Sequence, residues 1–214
     1  MLSTFLIAIR EGLEGSLIVG ILVAYLVRTN RRNQLAPLWT GVAVALLGSF
    51  GFGAFLTFTS NELSPRGEEL FAGITSLVAV AMVTWMVFWM KRSARNLKNE
   101  LHGKIDQAQS IGKFAVVGAA FFAVAREGLE TAIFVYSNFK TVASNSAPAI
   151  GLTIGFAVAI ALGFLIYKQS IKLNLAKFFL ITGVGLIVVA GGVLSYGVHE
   201  LQEFGILPGP DAFA

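Results

Sequence analysis

Apolar residues fall in six long blocks, roughly 2–27, 36–59, 70–90, 114–139, 148–167 and 178–198, with short polar segments between them. Each block is long enough to cross a hydrocarbon core of about 30 Å as a helix, which takes about 20 residues. Four of the six hold no charged residue. None shows the apolar/polar alternation of barrel strands. The first block lacks a basic leader and is interrupted by Arg10, Glu11 and Glu14, so it reads as a retained helix rather than a cleaved signal. The pattern predicts an all-α, polytopic membrane protein of six transmembrane helices.

Composition agrees with that reading. Hydrophobic residues make up 56% of the 214 and charged residues 13%, with a mean hydropathy of +0.75. Soluble domains carry about 25% charge, so a soluble enzyme and a nucleic-acid binder are both excluded. The net charge of +4 is explained by position. Twelve of the 16 basic residues lie in three loops: Arg28, Arg31 and Arg32; Lys91, Arg92, Arg95, Lys98, Lys104 and Lys113; and Lys168, Lys172 and Lys177. The positive-inside rule makes those loops cytoplasmic and puts the N-terminus outside, in a plasma membrane or, for a bacterium, the inner membrane. Acids segregate oppositely: Glu62, Glu68, Glu69, Glu200, Glu203 and Asp211 are outside, whereas Glu100 and Asp106 are inside. With no Cys in the chain, thiolate chemistry is excluded.

The first and fourth blocks share a motif. Arg10-Glu11-Gly12-Leu13-Glu14 is repeated as Arg126-Glu127-Gly128-Leu129-Glu130, 116 residues later. Three helices separate the copies, so the second enters the membrane from the opposite side. Such inverted repeats are a transporter device that places the substrate site near the midplane. The resulting organisation is a single transmembrane domain, with repeat one at 1–90, a cytoplasmic linker at 91–113, repeat two at 114–198 and an outer tail at 199–214.

At about 100° per residue, the arginine and both glutamates of each copy share an arc of about 100°. Six unpaired charges within a membrane would cost on the order of 18 kcal/mol even on a lenient scale. Two arginines against four glutamates leave a formal charge of −2, which calls for protons or, better, a multivalent cation. An all-carboxylate set suits hard cations such as Fe³⁺, Mn²⁺, Mg²⁺ or Ca²⁺, and not copper(I) or typical zinc sites. Beside the charges, Ala8, Gly12 and Ser16, and likewise Gly128 and Ala132, form small-residue faces for close helix packing.

Paired Arg-Glu-x-x-Glu motifs at this depth and spacing resemble those of the oxidase-dependent iron permeases. Supporting stretches are Thr84 to Met90 and His199 through Pro208. The resemblance covers nearly the whole chain. It implies uptake of ferric iron, possibly after oxidation of ferrous iron on the way in, with Glu11, Glu14, Glu127 and Glu130 as ligands. It also implies an extracytoplasmic oxidase or iron-handling partner, and a seventh helix missing beyond Ala214.

Other features carry smaller expectations. His199, Glu200, Glu203, Glu68 and Glu69 lie on the outer side as candidate capture residues, against a plain reading as solvated helix ends. Met82, Met86 and Met90 form a stripe read as core or lipid contact, and His102 is read as a solvated loop residue. The sequence therefore points to a transporter with iron as cargo, no permanently bound cofactor, no nucleic-acid partner and no enzymatic residues. Arg10 and Arg126 are expected to hold the carboxylates. The alternatives are a carrier of divalent manganese or ferrous iron, and a proton-relay or structural subunit of a membrane redox complex.

Overall fold

A computed structural model describes residues 1–93, 97–141, 146–168 and 174–208. The chain is all-helical over those residues: α1 (Leu2–Arg28), α2 (Leu35–Glu62), α3 (Pro65–Ser93), α4 (Leu97–Ile111), α5 (Lys113–Thr141), α6 (Ala147–Tyr167) and α7 (Leu175–Phe204). Arg95, Lys172 and Asp211 lie outside them, as do the side chains of Met90, Lys91, Arg92, Lys98 and Glu100.

Local chemistry explains where the helices begin and end. Pro65 opens α3 and Pro148 sits in the first turn of α6, where a missing N–H breaks no helical bond. Asn174 caps α7 by accepting from Lys177 N at 3.1 Å, and Gly205 ends it in the left-handed region at φ 94°. Within the helices, Thr40, Ser49, Thr57, Thr84, Thr153 and Thr182 each donate to the carbonyl four residues back. Those bonds satisfy hydroxyls where no water is present.

The surface is apolar, with Leu47, Phe50, Trp85 and Val188 all more than two-thirds exposed, while Arg10, Glu11, Glu14, Glu127 and Glu130 are buried. That inversion suits lipid around the bundle. By length and composition α2, α3, α6 and α7 are fit to cross a membrane. The helices α1 and α5 are as long, and each carries its three motif charges near the middle.

The packing is reciprocal. α1 lies along α6, α2 along α5 and α3 along α7, and α1 meets α5 at the centre. Glycines mark the close approaches. A Cβ added at Gly41 would come 2.3 Å from Val117 O, and one added at Gly151 would come 2.3 Å from Met1 O. Gly128 likewise faces Ser49 and Gly12 faces Ala159, while Gly53 faces Ala132 and Gly163 faces Ser16. Residues 41, 49 and 53 of α2 thus correspond to 151, 159 and 163 of α6, a constant shift of 110. Residues 1, 12 and 16 at α1 correspond to 117, 128 and 132 of α5, a constant shift of 116. The contacts run in the same order on both members of each pair, so α1 is parallel to α6 and α2 to α5. α3 and α7 cross antiparallel at Gly73 and Gly197, each of which would press its Cβ towards the other's carbonyl, at 3.2 and 3.3 Å.

The loop expected at 91–113 contains a helix. Leu101, Ile105 and Ala108 of α4 are buried among Leu22, Leu26, Leu38 and Val116. Fifteen residues are too few to span a bilayer, so α4 caps one end of the bundle. His102 is not a solvated loop residue as expected from sequence. Its ring stacks on Tyr25 with centroids 4.0 Å apart, because the buried leucine and isoleucine seat α4 against α1. Asp106 then accepts from Arg31 Nη1 at 3.0 Å and from the Tyr25 hydroxyl.

Candidate metal centre

Both motif helices reach the centre of the bundle with their charged arcs facing inward. Carboxylate oxygens of Glu11, Glu14 and Glu127 lie within 4.8 Å of one another. Among the described residues this is the sole group of three acidic or imidazole side chains so gathered. All three are under 10% exposed.

Arg10 sits between the carboxylates of its own helix. Its Nη1 donates to Glu11 Oε1 at 3.2 Å, and its Nη2 lies 3.4 Å from Glu14 Oε1. One contact was invisible in the sequence: Nη1 also donates to Met86 Sδ on α3, at 2.7 Å. Arg10 and Met86 are both 1% exposed.

The second motif is arranged differently. Glu130 is buried, lies within electrostatic reach of Glu11 and Glu14, and accepts from Arg126 Nε at 2.9 Å. It stands outside the group of three. The Arg126 side chain is 40% exposed. Together with Glu130 it borders a cleft of about 370 Å³ walled by Met82, Phe121, Phe122, Ala125 and Leu129. One arginine is therefore sealed among carboxylates, and its counterpart faces outward.

Four carboxylate oxygens, one on each motif glutamate, are buried without a hydrogen-bond partner: Glu11 Oε2, Glu127 Oε2, Glu130 Oε2 and Glu14 Oε1, the last with the Arg10 guanidinium 3.4 Å away. Orphaned acceptors so close together are costly unless something positive joins them. Oxygen donors of this charge density fit a hard multivalent cation. Apolar layers close the site on both sides. One contains Ile7, Val83, Phe134 and Leu186, and the other contains Leu22, Leu26, Val116 and Ile105.

The remaining sequence candidates gather elsewhere. Glu68 is engaged by Lys140 across α3 and α5. His199 lies 3.3 Å from Glu203 on an exposed face of α7. Glu200 is half-buried near Tyr196, and Glu69 is half-buried at the start of α3. Of the methionine stripe, Met86 is core against Arg10, and Met82 lines the cleft. The i,i+4 spacing pointed to core or lipid contact without choosing between them, and Met86 takes the core.

Three relatives are similar to this chain along most of its length. The chain is 40% identical over 209 residues to "Ferrous iron permease EfeU" of Escherichia coli O6:H1, covering 96% of this chain and 75% of the relative. Proteins of the same name from Shigella sonnei and Yersinia pestis are also 40% identical, again across 96% of this chain and 75% and 74% of theirs. No solved structure matches. Residues 1–212 match the family described as Iron permease FTR1. The chain, a multi-pass membrane protein with apolar spans around a buried carboxylate cluster, belongs to that iron permease family.

Proposed function

We propose that this permease carries iron into the cytoplasm through a midplane site formed by Glu11, Glu14 and Glu127, with Glu130 completing the shell when metal binds. The observation that carries the reading is the convergence of three carboxylates from two helices, with Arg10 between two of them, inside a core that is otherwise apolar. In the empty site Arg10 and Arg126 limit the repulsion among the acids. An incoming cation takes over that role, and the guanidinium groups hold each carboxylate's direction.

Two inverted three-helix repeats, 1–90 and 114–198, fit this task. The constant shifts that relate α1 to α5 and α2 to α6, and the self-paired crossing of α3 with α7, support an inverted repeat with an axis through the glutamates. The basic cytoplasmic face then carries α4, and the N-terminus lies outside.

The bound species is ferric on this reading, because the donors are oxygen only and highly charged. A ferrous cargo is the second reading, favoured by the name of the relatives, and an extracytoplasmic oxidase reconciles the two by converting iron on the way in. The test is the set of single variants Glu11→Gln, Glu14→Gln, Glu127→Gln and Glu130→Gln. Radioactive iron uptake per folded molecule is expected to collapse in all four while membrane insertion stays normal. Near-normal uptake in any two removes the carboxylate site. Adding a ferrous-specific chelator outside the cell separates the species, since a ferric substrate escapes it.

A further inference from the structure

A second oxygen-rich cluster lies on α5 nine residues beyond Glu127, about 13 Å further along the helix at 1.5 Å per residue. Tyr136 is only 6% exposed, and its hydroxyl makes no well-formed hydrogen bond among the described residues; at most it meets the Ser60 hydroxyl weakly. Ser60 on α2 is itself fully buried, and its Oγ has no other partner among the described residues. The Tyr136 ring is held edge-on by Phe71 of α3, with centroids 5.9 Å apart. That contact keeps the hydroxyl within the field of Glu68, Glu200 and Lys140. From α7, Tyr196 bonds to Glu200 one turn along and lies near both Tyr136 and Glu68. Four helices thus bring two phenols, two carboxylates and a serine hydroxyl to one end of the bundle. The apolar layer of Ile7, Val83, Phe134 and Leu186 separates them from the motif glutamates.

A buried phenol among acids, with no firm hydrogen bond beyond a serine hydroxyl, is a poor structural element, because burying a weakly bonded hydroxyl is costly. As a ligand it is apt. Phenolate and carboxylate are hard, anionic oxygen donors matched to a hard trivalent cation. We propose that Tyr136 and Tyr196, with Glu68 and Glu200, form a vestibular site that takes up ferric iron before it passes Phe134 to the central carboxylates. On binding, each phenol exchanges its proton for the metal and the proton leaves to water. Lys140, which is paired with Glu68, gives way to the stronger cation. The iron stays ferric throughout. His199 and Glu203 pair on an exposed face of α7 and have no part in the site.

The proposal rests on the reading that iron enters at this end, but its test needs no transport. Ferric nitrilotriacetate is added to the purified full chain in detergent, and the visible charge-transfer band peculiar to ferric phenolates is followed. The band is expected in the wild type and in Tyr25→Phe, and in the Glu14→Gln/Glu127→Gln double variant, which lacks the central site. It is expected to be lost in Tyr136→Phe and weakened and shifted in Tyr196→Phe, both conservative changes whose folding is checked by gel filtration. Absence of the band in wild type, or its survival unchanged in Tyr136→Phe, overturns the vestibular site. Loss of the band in the double variant shows that the phenols do not bind independently and also overturns it. Failure of the central-site reading appears separately, as retained uptake in the single glutamine variants.

Discussion

Replacing Gly41 by alanine should loosen the seam between α2 and α5. The new Cβ would lie 2.3 Å from the Val117 carbonyl oxygen and 2.9 Å from Ala120 Cβ. The first is a backbone atom, so no rotamer change relieves the contact. Restoring even 3.0 Å, below which real Cβ atoms essentially never come, moves the helices apart by about 0.7 Å. A gap of that size forfeits a quarter to a half of each van der Waals well along the seam. Overpacking of this kind costs about 1–3 kcal/mol, while alanine returns up to about 1 kcal/mol in helix propensity. Gly48→Ala on the same helix separates the two effects, since nothing lies within 4 Å of its added Cβ. Gly41→Ala should therefore be less stable than Gly48→Ala by about 1–3 kcal/mol, the propensity gain being common to both. Thermal unfolding of the purified proteins in one detergent measures the difference. Gly151→Ala, whose Cβ meets Met1 O at the corresponding place, should behave like Gly41→Ala. Equal stability of Gly41→Ala and Gly48→Ala would refute the close approach and the helix pairing drawn from it.

Other outcomes are expected on the same footing. Arg10→Lys should lose most iron uptake at normal protein level, because one ammonium cannot reach Glu11, Glu14 and Met86 together; Arg126→Lys, at a side chain that is 40% exposed beside Glu130, should lose less, and the reverse order would sink the assignment. In single-cysteine variants of intact cells, Asn61→Cys should react with an impermeant maleimide and Gln107→Cys should not; labelling at position 107 would overturn the orientation. Ile105→Glu places a charge at a site 1% exposed, so α4 should detach and become cleavable by added protease in inside-out vesicles, whereas wild type resists.

The six apolar blocks and the paired motif were legible because lipid imposes a coarse rule, about 20 apolar residues per crossing, and because buried charge in such a run stands out. Glu11, Glu14, Glu127 and Glu130 could be singled out for the same reason, but that the oxygens of the first three gather while Glu130 stands apart depends on packing that the motif does not encode. α4 was hidden: its inward face is only Leu101, Ile105 and Ala108, set among six basic residues that read as loop. The contact of Arg10 with Met86 depends on how α3 lies against α1, over a separation of 76 residues, and no local pattern encodes it. The unequal settings of Arg10 and Arg126 were equally illegible, since identical pentapeptides differ only in their neighbours. Gly12 and Gly128 stood out within the repeated motif, but the match of Gly41 and Gly53 to Gly151 and Gly163 was hidden, because the first helices are related by a shift of 116 and the second by 110; no single offset aligns both.

The exchange of middle helices between the halves, α2 against α5 and α6 against α1, has a consequence for biosynthesis. When the ribosome has delivered α1 to α3, α1 has scarcely touched α2, and the long seams await segments not yet made. The nascent first half therefore sits in the bilayer as loose helices, with Arg10 and its glutamates bare to lipid or held by the insertion machinery. It closes only after α5 and α6 arrive, so assembly is a late, all-at-once event. A ribosome stalled after α3 would leave a fragment for quality control rather than a half-transporter.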